Sequence, residues 1–173
     1  MKKVLLLFLI LFLVSGCGSN NEETLNKEFT NKYECKREVQ LTQYDLDKRD
    51  TYSLPTQEDI EIKKNSPVAV NKEQLKIYDF SSDGNKLLQY LDVEKYEYLV
   101  DIDMNKEKEY FEKECKNYSK ERYESCKVVV ENNILTITKV NNLKSDMNKD
   151  MASNTTKDSI IKDYMEDELF TCN

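Results

Sequence analysis

Cys126-Lys127-Val128-Val129-Val130-Glu131-Asn132-Asn133-Ile134-Leu135-Thr136-Ile137-Thr138 reads as a β-hairpin. Residues branched at Cβ fill both arms, and they suit a pleated strand. Between the arms stands Asn132-Asn133, and asparagine tolerates the left-handed backbone that a two-residue turn demands. In that register Val130 faces Leu135 and Val128 faces Ile137. Side chains alternate across a strand. Cys126, Val128, Val130, Leu135 and Ile137 therefore share one face, and Lys127, Val129, Thr136 and Thr138 share the other.

Just upstream, Glu107 to Tyr118 carries a helical period. Tyr110, Phe111, Cys115 and Tyr118 fall on one face, and Asn105 is the expected N-cap. Cys115 then points inward with the aromatic residues, toward the side on which the hairpin places Cys126. Further out, Tyr33, Cys35, Arg37, Val39 and Leu41 alternate with Glu34, Lys36, Glu38 and Gln40, which predicts a half-buried strand with Arg37 as its one exception. A short strand is expected around Ile60 and Ile62, between Pro55 and Pro67, and another over Leu75–Phe80. Ser81-Ser82-Asp83-Gly84-Asn85 is a turn. Lys86–Ile102 predicts one or two strands with a break near Asp92. Tyr96 and Tyr98 alternate with charges there, a pattern of core rings rather than of a sugar-binding face. Past the hairpin, the polar stretch Asn141–Asn154 leads to a short helix capped by Thr155 or Thr156, with Ile160, Ile161 and Tyr164 inward. Leu169-Phe170-Thr171-Cys172 reads as a closing strand.

The N-terminus carries a different kind of information. Lys2 and Lys3 precede an unbroken apolar run, Val4–Val14, followed by Ser15, Gly16 and Cys17. A basic start, a run of this length and small residues at its end make a secretory signal. The run is shorter than the roughly 20 apolar residues of a membrane-spanning helix. Val14-Ser15-Gly16-Cys17 resembles the lipobox of bacterial lipoproteins. That resemblance implies acylation of Cys17, cleavage before it, and attachment to a lipid bilayer on the extracytoplasmic face of the cell membrane. The expected organisation is a signal peptide over 1–16, the lipidated cysteine and a flexible polar tether over 17–31, and a single α+β domain over 32–173.

An exported chain with an even set of remaining cysteines, Cys35, Cys115, Cys126 and Cys172, reads as carrying two disulfides. Sequence alone does not choose the connectivity. The helix and hairpin make Cys115–Cys126 a natural short-range pair, which would leave Cys35 and Cys172 to tie the ends of the domain together.

The order of elements, with the lipobox, early strands, the helix over 107–118, the hairpin over 126–138 and a last short helix before the terminal strand, resembles the YehR-like family of small bacterial lipoproteins. The resemblance implies an α+β fold, an antiparallel sheet packed against one longer helix and one short C-terminal helix. It supplies no catalytic residues. The four cysteines of the domain depart from it.

Composition excludes more chemistry than it offers. The chain has no histidine, so Ser-His-Asp and Cys-His catalysis and histidine metal sites are absent. Beyond the signal only Gly18 and Gly84 remain, too few for a glycine-rich phosphate loop. The net charge is −7, and loss of Lys2 and Lys3 makes the chain more acidic, which disfavours nucleic acid. Asp101–Glu112 has oxygen side chains at some calcium-loop positions, but Lys106 and Lys108 stand where a glycine and an apolar residue belong. The segment reads as a strand end and an acidic first helical turn, with no metal and no cofactor. The expected function is a non-catalytic binding or envelope-associated domain, whose partner is a protein, a wall polymer or a small ligand. The alternative is a carboxylate-dependent hydrolase acting on cell-envelope material.

Overall fold

The computed structural model describes residues 29–49, 54–117, 121–166 and 170–173. The chain folds as an α+β domain. Strand β1 (Lys32–Thr42) is followed by two short helices, α1 (Gln43–Lys48) and α2 (Gln57–Asn65). Strands β2 (Val68–Phe80) and β3 (Leu87–Tyr98) form a long hairpin, and helix α3 (Met104–Asn117) leads to the hairpin of β4 (Tyr123–Glu131) and β5 (Ile134–Asn141). Helices α4 (Lys149–Asn154) and α5 (Lys157–Glu166) precede the two-residue strand β6 (Thr171–Cys172). The six strands make one sheet in the order β4-β5-β3-β2-β1-β6, and every pairing is antiparallel.

The β4–β5 hairpin has the register read from sequence, Val130 opposite Leu135 and Val128 opposite Ile137. Asn132 takes the positive φ, at 56°. The other tight turn uses Gly84, at φ 74°; a Cβ there would sit 3.4 Å from Cβ of Lys157, where α5 begins.

One face of the sheet, the inner face, is covered at each end by helices. At one end Tyr33, Cys35, Tyr78, Phe80 and Tyr90 pack with Ile160 of α5, and Ile161 and Tyr164 join them. Thr156 is the residue that caps α5: its Oγ1 accepts from the Ser159 amide at 3.1 Å. At the other end Val70, Tyr96, Tyr98, Leu135 and Ile137 pack with Cys115 of α3. Both disulfides are formed, Cys35–Cys172 and Cys115–Cys126.

Several sequence expectations are corrected. Ile60 and Ile62 lie in helix α2, not a strand, and are about half exposed. The reason is local: Thr56 and Asp59 form a capping box, each side chain bonding the other's amide. Strand β3 runs unbroken through Asp92, because Lys76 and Lys139 on the flanking strands stand in register with it. Strand β2 begins at Val68, seven residues before the expected start at Leu75. Helix α3 begins at Met104, and its cap is Asp103, whose Oδ1 accepts from the amides of Asn105 and Lys106 at 3.0 and 3.4 Å. Asn105 is thus inside the first turn. Helices α1 and α4 were not anticipated. The last residues of the expected tether are fixed on the sheet: the amides of Thr30 and Asn31 donate to Asp79 Oδ1, and Phe29 packs on the outer face against Ile77, Leu91 and Val140. Tyr118 and Leu169 lie outside the described residues.

Candidate ligand-binding floor

Between the two helix-covered ends, the middle of the inner face is not apolar. One rung crosses all six strands in register: Cys126 of β4, Lys139 of β5, Asp92 of β3, Lys76 of β2, Cys35 of β1 and Cys172 of β6. A disulfide closes each end of this rung, and three charges of alternating sign lie between. The next rung aligns Arg37, Gln74, Glu94, Ile137 and Val128. Lys72 follows, opposite Tyr96. Because the side-chain period along a strand is two, all these residues face the same side.

Glu94 is the hub of the floor. It is buried, and both its oxygens are engaged: Lys139 Nζ pairs with Oε1, and Lys72 Nζ with Oε2 at 2.6 Å. The Tyr96 hydroxyl donates to Oε2 at 2.6 Å. Burial pushes the Glu94 pKa up, but Lys139 and Lys72 outweigh it and hold it at about 2. Asp92 differs. Among the described residues it forms no ion pair, and its Oδ1 is buried without a hydrogen-bond partner. Burial raises its pKa, with Glu94 nearby adding to the effect and Lys76 opposing it.

Toward the other edge stands Arg37. Its Nε is buried without a partner, and its guanidinium lies 5.7 Å from the centroid of the Phe170 ring. The Lys76 ammonium lies 5.7 Å from the same centroid. Two cations thus converge on one ring, and among the described residues neither forms an ion pair. Counted together, the floor holds the cations Arg37, Lys72, Lys76 and Lys139 against the carboxylates Asp92 and Glu94. It is an electropositive band on a chain of net charge −7.

A cleft of about 390 Å³ opens where α3 crosses the floor, lined by Asp92, Glu94, Tyr110, Phe111, Tyr123 and Lys139, among others. A larger depression, about 470 Å³, borders Gln40, Asn71, Glu73, Lys95 and Glu97. The floor is the better candidate because the polar groups of that second depression satisfy one another: Asn71 Nδ2 donates to Glu97 at 3.1 Å, and Glu73 pairs with Lys36 at 2.8 Å. The buried polar atoms left unpartnered among the described residues, Arg37 Nε and Asp92 Oδ1, both belong to the floor.

No family model, curated protein or solved structure matches this chain.

The α3 edge of the floor is fixed by a second ionic cluster. Arg49 grips Glu107 of α3 through Nη1 at 2.5 Å and Nη2 at 2.9 Å, and the Tyr98 hydroxyl donates to the same carboxylate at 2.7 Å. Arg49 also lies 4.4 Å from the centroid of the Tyr110 ring. Glu107 is buried, and Arg49 and Tyr98 hold its pKa down against the desolvation that pushes it up.

The Asp101–Glu112 segment does not have the geometry of a calcium loop. Asp103 caps the helix, Glu107 is turned to Arg49, and residues from Met104 onward are helical. The oxygens are therefore spread along a helix and do not converge on a point. Among the described residues, no group of three or more cysteine, aspartate or glutamate side chains is placed to hold a metal ion.

Of the sequence-predicted site residues, Cys35, Cys172, Cys115 and Cys126 lie where the argument put them, and Cys17 falls outside the described residues. The floor residues were missed. Arg37 was legible as an oddity in an otherwise apolar strand face, and Asp92 was misread as a break. The signal that joins them is the register of the β2–β3 hairpin, which brings Lys76 opposite Asp92.

Proposed function

We propose that the chain is a membrane-anchored bacterial surface lipoprotein, acylated on Cys17, whose α+β domain is a non-catalytic binding module with the charged floor as its ligand site. The anchor is supported by Lys2-Lys3, the apolar run Val4–Val14 and Val14-Ser15-Gly16-Cys17. Two or more acyl chains give stable attachment where one gives only marginal binding. We also propose kinship with the YehR-like lipoproteins, on the lipobox and element order.

The observation that carries the binding reading is the pair of unpartnered polar atoms, among the described residues, on a partly buried charged floor. Buried polar groups are normally hydrogen-bonded, and leaving one unsatisfied costs about 1–3 kcal/mol. A ligand that supplies the missing partners recovers that cost. The hydrolase reading needs two carboxylates free to exchange protons or attack. Glu94 does not meet that need, since both its oxygens are occupied by lysines. Asp92 alone does not make an acid–base pair.

The test is site-specific photo-crosslinking in cells that produce the chain. A photoreactive residue at Gln74, in the middle of the floor, is expected to give a discrete adduct. The same residue at Lys95, on the outer face, is expected to give none. Equal capture at both positions, or none at Gln74, refutes the floor as the ligand site.

A further inference from the structure

We infer that the floor binds an oxyanion, a carboxylate or phosphate group of its ligand, between Arg37 and Lys76 over Gln74. This rests on the reading of the floor as a ligand site and adds the chemistry of what it takes. The argument begins with charge. Lys72 and Lys139 are both spent on Glu94. That leaves Arg37 and Lys76, and Asp92 is the one remaining carboxylate of the floor. Asp92 stands in register with Lys76 but on the strand away from Arg37, and it forms no ion pair with either among the described residues. Among the described residues, Arg37 therefore pairs with no carboxylate of the floor.

The second observation is placement. Arg37 is opposite Gln74, and Lys76 is two residues along the same face. Diagonal neighbours of this kind on adjacent strands are about 7–8 Å apart at the backbone. Two long cationic side chains starting at that separation reach a single oxyanion between them. Gln74 stands on the same face, opposite Arg37 and two residues from Lys76, and its neutral side-chain amide offers a further donor. Both cations border the ring of Phe170, which provides an apolar wall and lowers the local dielectric, where an ion–ion contact is strongest. Guanidinium groups suit this task because their planar fork matches carboxylate and phosphate oxygens. The third observation is Arg37 Nε, buried and without an acceptor among the described residues.

The experiment uses the full chain in detergent, labelled with ¹⁵N, with ionic strength held constant by chloride. Acetate, inorganic phosphate and uncharged acetamide are titrated separately. The Arg37 Nε–H resonance and the Gln74 side-chain amide are followed. Acetate or phosphate is expected to move both saturably, with a Kd of about 1 mM or tighter, and acetamide to move neither. The stronger of the two anions identifies the carboxylate or the phosphate as the preferred group. Arg37→Gln and Lys76→Gln are each expected to weaken binding by about tenfold, read at Gln74, while Lys95→Gln on the outer face leaves it unchanged. The inference is overturned if neither anion shifts these resonances saturably, or if saturation survives both floor substitutions in folded protein. Should Gln74 still crosslink to a ligand in that case, the binding reading stands and only the oxyanion is lost.

Discussion

Cys35 and Cys126 lie on the same rung of the sheet with three strands between them, and each belongs to a disulfide. Everything between them on that rung is charged: Lys76, Asp92, Lys139. The two staples thus hold the edges of a floor whose middle lacks an apolar core. Charged residues inside a sheet face weaken the collapse that normally fixes strands, because buried ions must be paired to avoid a desolvation cost. Covalent closure at both ends of the rung offsets that weakness where it occurs.

Each disulfide is expected to contribute according to the loop it closes. Cys115–Cys126 has a sequence separation of 11 and Cys35–Cys172 of 137. Chain entropy assigns about 3 kcal/mol to the first and about 5 to the second. Denaturant unfolding of the Cys115→Ala/Cys126→Ala and Cys35→Ala/Cys172→Ala pairs should rank them in that order. Peptide mapping without reductant should return these two linkages, and free thiols at Cys35 and Cys172 would sink the end-to-end staple.

Glu94 makes stability depend on acid. Its folded pKa is lowered from 4.5 to about 2, so its contribution is present above pH 4.5 and is lost as pH falls toward 2. A shift of that size corresponds to a contribution on the order of 3 kcal/mol. Glu94→Gln should lose a similar amount at pH 7, because Lys72 and Lys139 are left unpaired, and its stability should be flatter between pH 5 and about 2. Thermal melts across that range provide the check.

Asp92 has the opposite sign. Its folded pKa is raised by burial, so the folded chain holds this proton more tightly than the unfolded chain does, and that contribution to stability is lost as pH rises through the folded pKa. Asp92→Asn is therefore expected to be more stable than the parent at pH 7. A less stable variant would show that Lys76 and Lys139 need the charge more than burial opposes it.

The Arg49–Glu107–Tyr98 cluster anchors α3 to the sheet. Removing one partner of a largely buried pair leaves the other charge stranded, so Glu107→Gln should cost about 3 kcal/mol. Tyr98→Phe removes one hydrogen bond to a charged group and should cost about 1.5 kcal/mol. Hydrogen exchange should show α3 opening sooner in both variants, with α5 unchanged.

Much of this fold was legible, for identifiable reasons. The β4–β5 hairpin has two β-branched arms around a turn that only a few residue types tolerate, so its register followed from local chemistry. Arrangement across the sheet was harder. The inward face of β2 reads Val70, Lys72, Gln74, Lys76, Tyr78, Phe80, and the polar centre hides the period. Lys76 and Asp92 stand opposite each other, and sequence alone does not display that register. At helix α2 the two isoleucines suggest a strand, while the Thr56–Asp59 capping box, a purely local signal, sets a helix start. Glu107 reads in the sequence as part of an acidic first helical turn; its burial depends on Arg49, 58 positions away.

The floor's occupancy in its native setting is the central claim, and lysine footprinting measures it. An amine-reactive reagent is applied to intact cells bearing the chain and, separately, to the purified protein. Modification of Lys76 and of Lys95 is then quantified by mass spectrometry. A bound ligand predicts slower modification of Lys76 on cells than in the purified protein, with Lys95 on the outer face reacting equally in both. Equal rates at Lys76 in the two settings would contradict the account.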